Sequence, residues 1–170
     1  HCDLPLTVGQ TEVRLLTSHH TPPVFDGPED RNGLRNADEL KFWMHHLDRL
    51  GDQPFLLLGN FNLDPNKGDG RQSVMRDVLA DPRLQDPEPQ GAHGLNTAVF
   101  KSVGPLRVSY VLPSQHWTVR DAGVAWPDPV ELPDGQRLTR HGLVWVDLAL
   151  KECPKDCVRV GVPMLWQKRL

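Results

Sequence analysis

An α/β fold is the expectation for this sequence. Residues 54–58 (PFLLL) form a continuous apolar run without alternation, the mark of a strand covered on both faces. Just before it, Leu40, Trp43, Met44, Leu47 and Leu50 recur at helical spacing. Residues 106–112 (LRVSYVL) and 143–148 (LVWVDL) read as further strands. Strands covered on both faces, mixed with amphipathic helices, imply packed layers of helix and sheet.

The remaining elements follow in order. Residues 4–8 and 12–17 read as two short strands around Gly9-Gln10, a hairpin pattern. From Ser18 to Gly33 the chain is rich in Pro, Gly and Asp, a long loop of the kind that carries function or lacks order. Asn36 with Glu39 three residues on matches a capping box, so the main helix is expected to start there and to end at Gly51. Residues 73–79 read as a shorter helix stopped by Asp81-Pro82, and residues 83–104 as loop. Residues 117–126 read as a strand, followed by a Pro-rich connection over 127–139. Trp43, Trp126 and Trp145 are expected in the core, where aromatic rings bury large areas.

Composition excludes several classes. The 170 residues are one domain's worth and carry a formal net charge of −3, which argues against a basic nucleic-acid wrapper. No apolar run approaches the roughly 20 residues of a membrane span. With 16 Pro and 14 Gly the chain favours turns and long loops over a helical bundle. Cys153 and Cys157 lie four apart around Pro154; they form either a short disulfide loop in an oxidising compartment or two free surface thiols. Cys2 is left over.

Polar side chains gather where strands are expected to end: Ser18-His19-His20, Asn60-Phe61-Asn62 and Arg140-His141. Loops at the ends of rigid strands are where sites are assembled. A histidine there can act as general base, and an Asn amide can donate to a phosphate oxygen. The competing reading is that these groups simply cap strands. Arg31, Asn32 and Arg35, at the end of the long loop, are candidates to meet an anionic ligand, or else parts of a loop bonded to itself.

The order SHHTPPVFDGPEDRNGLRNADELKFW, LLLGNFNLDP, LRVSYVLPS and TRHGLVWVDL resembles the endonuclease/exonuclease/phosphatase superfamily, and in particular a bacterial, often exported branch of it. The resemblance runs from about Leu4 to Leu148. It implies a four-layer αββα sandwich with a metal-dependent phosphoesterase site at one edge. His19 matches the family histidine near phosphate, Asn62 the Asn of the Gly-Asp-x-Asn motif, and His141 the general base of the Ser-Asp-His motif.

The family's acids are replaced. Asn60, Ser109 and Arg140 stand where the resemblance calls for Asp. No metal ligand is therefore expected from these positions, and no cofactor is expected in this chain. Nothing before Leu4 matches the family's N-terminal half, so residues 1–150 read as the C-terminal portion of such a domain and residues 151–170 as a tail. The fold is then incomplete without an N-terminal segment, to be supplied by the same polypeptide or by another chain. The functional expectation is a degenerate, non-catalytic binding or structural module with room for a phosphate-containing ligand. The alternative is an active phosphoesterase, using Mg²⁺ or Mn²⁺, completed by the missing half. The resemblance to an exported branch, together with Cys153 and Cys157, places the expectation outside the cytoplasm, secreted or periplasmic.

Overall fold

The computed structural model describes residues 1–127 and 139–151. Strands β1 (Cys2–Val8) and β2 (Thr11–His19) form an antiparallel hairpin. Gly9 takes the left-handed conformation at the turn between them, with φ 63°. Helix α1 (Arg31–Leu50) follows, then β3 (Phe55–Asn60), which lies parallel to β2, and the short helix α2 (Gln72–Leu79). Next come β4 (Gln90–Gly91), the small hairpin of β5 (Ala98–Phe100) with β6 (Gly104–Leu106), and β7 (Ser109–Pro113). The chain closes with the long antiparallel pair β8 (Trp117–Ala125) and β9 (Leu143–Leu150).

Two main sheets result, ordered β1-β2-β3-β7 and β4-β8-β9. The first separates two cores. On one face Leu16, Phe55, Leu57, Tyr110 and Leu112 pack against Leu40, Trp43 and Leu47 of α1 and Met75 and Val78 of α2. On the other, Val13 and Leu56 meet Trp117, Val119, Val146, Leu148 and Leu150 of the second sheet. This explains the unbroken apolar run of β3: alternate residues serve different cores. The expected α/β layering holds, with helix, sheet and sheet in sequence.

Several details differ from the sequence reading. Helix α1 starts five residues before Asn36, behind Asp30 in the left-handed conformation, whose carboxylate binds Arg71 at 2.9 Å instead of capping the helix. Asn36 and Glu39 are not a capping pair. Asn36 is fully buried and its Nδ2 donates to the Thr21 and Phe61 carbonyls, both at 2.8 Å. Glu39 accepts from the Thr21 backbone N–H and hydroxyl. Both residues anchor the loop that leaves β2.

The expected strand over 106–112 is broken at Arg107-Val108. The Arg107 guanidinium turns inward, pairs with the Asp86 carboxylate and lies 4.8 Å over the Tyr110 ring. Residues 83–104, expected as loop, contain β4 and β5. Trp43 is in the core but Trp145 is 40% exposed, because it sits on the outer face of β9. Cys153 and Cys157 lie outside the described residues, as does residue 152 onward.

Candidate functional site

The strand register assembles the site. His19 is the cross-strand partner of Asn60, and Asn60 is the partner of Ser109. Directly opposed residues project from the same face of a sheet. Their parity is that of Val13 and Leu56, so all three face the second sheet. They form a row across the ends of β2, β3 and β7, neighbours spaced at about 5 Å.

His141 arrives from the second sheet, directly before β9. It bridges to Ala98, while the Val99 N–H donates to the Arg140 carbonyl and the Gly142 N–H to the Thr97 carbonyl, each at 2.9 Å. Thr97 is fully buried, and its hydroxyl oxygen accepts from the Val108 and Ser109 N–H groups at 2.9 Å. One residue thus fastens the His141 loop, through its carbonyl, to the start of β7, through its hydroxyl. The Phe100 and His141 rings meet at right angles, their centroids 5.8 Å apart. Burial lowers the His141 pKa below its usual value, and the nearby His19 lowers it further. The two imidazoles therefore share one electrostatic environment.

Asn62 closes the same edge. It adopts φ 52°, its N–H donates to the Asn60 side-chain oxygen at 3.2 Å, and its Nδ2 donates to the His20 carbonyl at 2.7 Å. The His20 N–H in turn donates to the Asn60 carbonyl at 2.9 Å. Gly59 is required beside them: its φ is 151°, and a Cβ there would collide with the Ser18 carbonyl oxygen of the adjacent strand.

Beneath the edge, on the helix face, lies His20. It is fully buried and stacks on Phe61 at 4.8 Å, and the His1 ring stacks on it at 5.2 Å. Its Nε2 is 2.7 Å from the Ser18 hydroxyl, which also accepts from Trp43 Nε1 at 2.9 Å. The direction of the Ser18–His20 bond follows the tautomer of the ring, and burial favours the neutral imidazole. Its Nδ1 has no partner. Burial pushes the pKa of His20 down to about 4.

The remaining candidates stand elsewhere. Arg31 pairs with Glu29 at 3.3 Å and Arg35 with Glu39 at 3.4 Å. Both line an open depression on α1 with His1, Leu34, Asp38 and Phe42, which none of His19, Asn60, Asn62 or His141 lines. Asn32 is turned onto its own loop: its Nδ2 donates to the Val24 carbonyl and its N–H to the Asp26 carboxylate. Arg140 is exposed and has no carboxylate partner among the described residues. Thr97 and the Ser18–His20–Trp43 network were missed from sequence. Neither belongs to a recognisable motif; only the doubled histidine hinted at the second.

Mg²⁺ and Mn²⁺ take carboxylate oxygens. Asn60, Ser109 and Arg140 offer an amide, a hydroxyl and a guanidinium, a donor set that does not fit such a cation. Among the described residues, no three His, Cys, Asp or Glu side chains gather at a place that could hold a metal. An oxyanion fits the same groups well, since they are donors or cations.

No family model matches the sequence, and no curated protein matches it. Solved structures do. An endonuclease/exonuclease/phosphatase from Beutenbergia cavernae superposes with a TM-score of 0.63 at 19% identity, covering 87% of this chain and 38% of that one. A family protein from Bacteroides thetaiotaomicron gives 0.58 at 16% identity, covering 82% and 51%. A 3′ phosphatase from Neisseria, bound to a product DNA hairpin, gives 0.54 at 19% identity, covering 85% and 63%. This chain spans less than two thirds of the length of each. It has the fold of the endonuclease/exonuclease/phosphatase proteins, over part of their extent.

Proposed function

We propose that this chain is the C-terminal portion of a degenerate endonuclease/exonuclease/phosphatase-like domain, a pseudoenzyme that binds a phosphate-bearing ligand without a metal. One observation carries the reading. The row of His19, Asn60 and Ser109, met by Asn62 and His141, keeps the donors of a phosphate site, while Asn60, Ser109 and Arg140 stand where the resemblance calls for acids. The exchange of an acid for Arg140 reverses the local field. At about 4 Å a guanidinium attracts a unit of phosphate charge by about 1 kcal/mol in water and about 4 kcal/mol at an effective dielectric of 20. It repels a divalent cation by twice that. A neutral His141 would have no Asp to fix its tautomer or raise its basicity, which removes the usual general base. We place the protein outside the cytoplasm, on the resemblance to an exported branch and on Cys153 and Cys157.

The test is thermal. Mg²⁺ or Mn²⁺ leaves the melting temperature unchanged, and inorganic phosphate raises it. A metal-dependent rise of several degrees, with hydrolysis of a generic phosphodiester, overturns the reading. It would favour the second one, an active phosphoesterase whose remaining ligands come from outside this chain. That alternative is favoured by the short span relative to the solved structures, which leaves room for acids from another segment.

A further inference from the structure

We propose that the cleft between α2 and the segment 86–96 is a second binding site, which takes a small organic molecule with one carboxylate and an apolar body. It lies apart from the strand edge that carries His19 and His141, so it stands whether or not that edge binds phosphate.

The cleft has a volume of about 640 Å³, within the range of roughly 300–1,000 Å³ usual for small-molecule sites. Arg76, Leu79 and Ala80 wall it at α2, Lys67 in the loop before that helix, and Glu88 and Leu95 in the segment 86–96. Arg107 and Asp64, each 6% exposed, form its floor. None of His19, Asn60, Asn62, Ser109 and His141 lines it. Arg107 lies over the ring of Tyr110, which packs into the core beneath the helices. The cleft is therefore on the helix side of the first sheet, while His19, Asn60 and Ser109 face the second sheet.

Lys67, Arg76 and Arg107 line this cleft against Asp64, Asp86 and Glu88. These charges are not equally engaged. Asp64 accepts the backbone N–H groups of Asn66, Lys67 and Arg107. Asp86 takes Nη1 and Nη2 of Arg107. Arg76 gives one N–H to the Pro65 carbonyl, and neither Arg76 nor Lys67 forms an ion pair among the described residues. The edge of the Arg107 guanidinium that Asp86 leaves over carries Nε, which is buried and has no partner among the described residues. A buried donor in that state is costly, and a ligand oxygen that reached it would remove the cost. What the cleft still offers is thus mainly donors and positive charge, the complement of an oxyanion.

The rest of the lining selects which oxyanion. Three cations and three carboxylates cancel in formal charge, so a singly charged group fits better than a dianion such as phosphate. The two oxygens of a carboxylate also match the flat fork of a guanidinium, here that of Arg76. Leu79, Ala80 and Leu95 supply apolar surface that an inorganic ion would leave unused. A hydrocarbon body attached to the carboxylate would cover it.

The probes are hexanoate and benzoate, titrated into the full polypeptide by calorimetry and followed by NMR. Both should bind saturably, with amide shifts gathered at Leu79, Ala80, Leu95 and Arg107 while the ring resonances of His19 and His141 stay still. Hexanol has the body without the charge and acetate the charge without the body; each should bind about tenfold more weakly than hexanoate, as should hexanoate to the double variant Lys67→Gln/Arg76→Gln. Lys67 and Arg76 are exposed, so the melting temperature of the unliganded variant should not move. Saturating inorganic phosphate should leave the affinity for hexanoate unchanged. The proposal is overturned if neither carboxylate binds, if the shifts gather at His19 and His141, or if hexanol or the double variant binds as well as the original pair. Displacement of hexanoate by phosphate overturns it too, since the cleft would then be a plain inorganic-anion site.

Discussion

Replacing His20 by Phe should remove most of the acid sensitivity of this fold between pH 6.5 and 4. In the folded chain His20 lies between the His1 and Phe61 rings, with its Nδ1 unpartnered and its pKa near 4. In the unfolded chain the ordinary value, 6.5, applies. Above pH 6.5 both states carry the neutral ring and stability is at its full value. As pH falls below 6.5 the unfolded state takes up a proton that the folded state refuses, so stability falls by about 1.4 kcal/mol per pH unit until about pH 4. The total loss is about 3 kcal/mol, a large share of the usual 5–15. His141, also lowered, adds a smaller slope of the same sign. The lowered carboxyls of Asp3 and Asp81 act only below their ordinary value of 3.8, outside this window. The assay is the urea midpoint against pH from 7.5 to 4, for the wild type and His20→Phe. A ring of similar shape keeps the stack, so the variant should fold and show a markedly shallower slope than the wild type. An unchanged slope in the variant would refute the reasoning.

Other outcomes follow from the same contacts. Asn36→Ala strands the Thr21 and Phe61 carbonyls in a buried place and should cost about 2–3 kcal/mol in urea unfolding. Asp86→Ala leaves the buried Arg107 guanidinium unpaired and should cost about 3 kcal/mol, most of it recovered by adding Arg107→Met. Gly59→Ala should prevent β2 and β3 from pairing at the site edge, seen as loss of the cooperative thermal transition. Restoring the acids together, as Asn60→Asp/Ser109→Asp/Arg140→Asp, should let Mn²⁺ raise the melting temperature where it does not in the wild type; a triple variant indifferent to Mn²⁺ would show that the surrounding shell has changed as well.

The layers and the row of site residues were legible because both rest on period. The unbroken run of β3 announced a strand with two covered faces. The clusters at Ser18-His19, Asn60 and His141 announced strand ends. What the pattern could not carry was the use of side chains across long distances. Asn36 and Glu39 match a local capping motif, yet the fold spends them on Thr21 and Phe61, fifteen to twenty-five residues away. Arg107 breaks an alternating strand because Asp86 can receive it. His20 is one residue from His19, but neighbouring strand residues project to opposite faces, so one histidine faces the candidate ligand and the other faces the helices. Thr97 acts through a hydroxyl that the Val108 and Ser109 amides share, and no spacing in the sequence signals that.

The central claim is that the edge formed by His19, Asn60, Ser109 and His141 holds phosphate through donors and Arg140, with no metal between. The most direct measurement follows the imidazole resonances of His19 and His141 by NMR while inorganic phosphate is added in the presence of EDTA. Both resonances should move with saturation, Mg²⁺ in place of EDTA should change nothing, and Arg140→Asp should abolish the response. Resonances that stay still in EDTA and move only when Mg²⁺ is supplied would contradict the account.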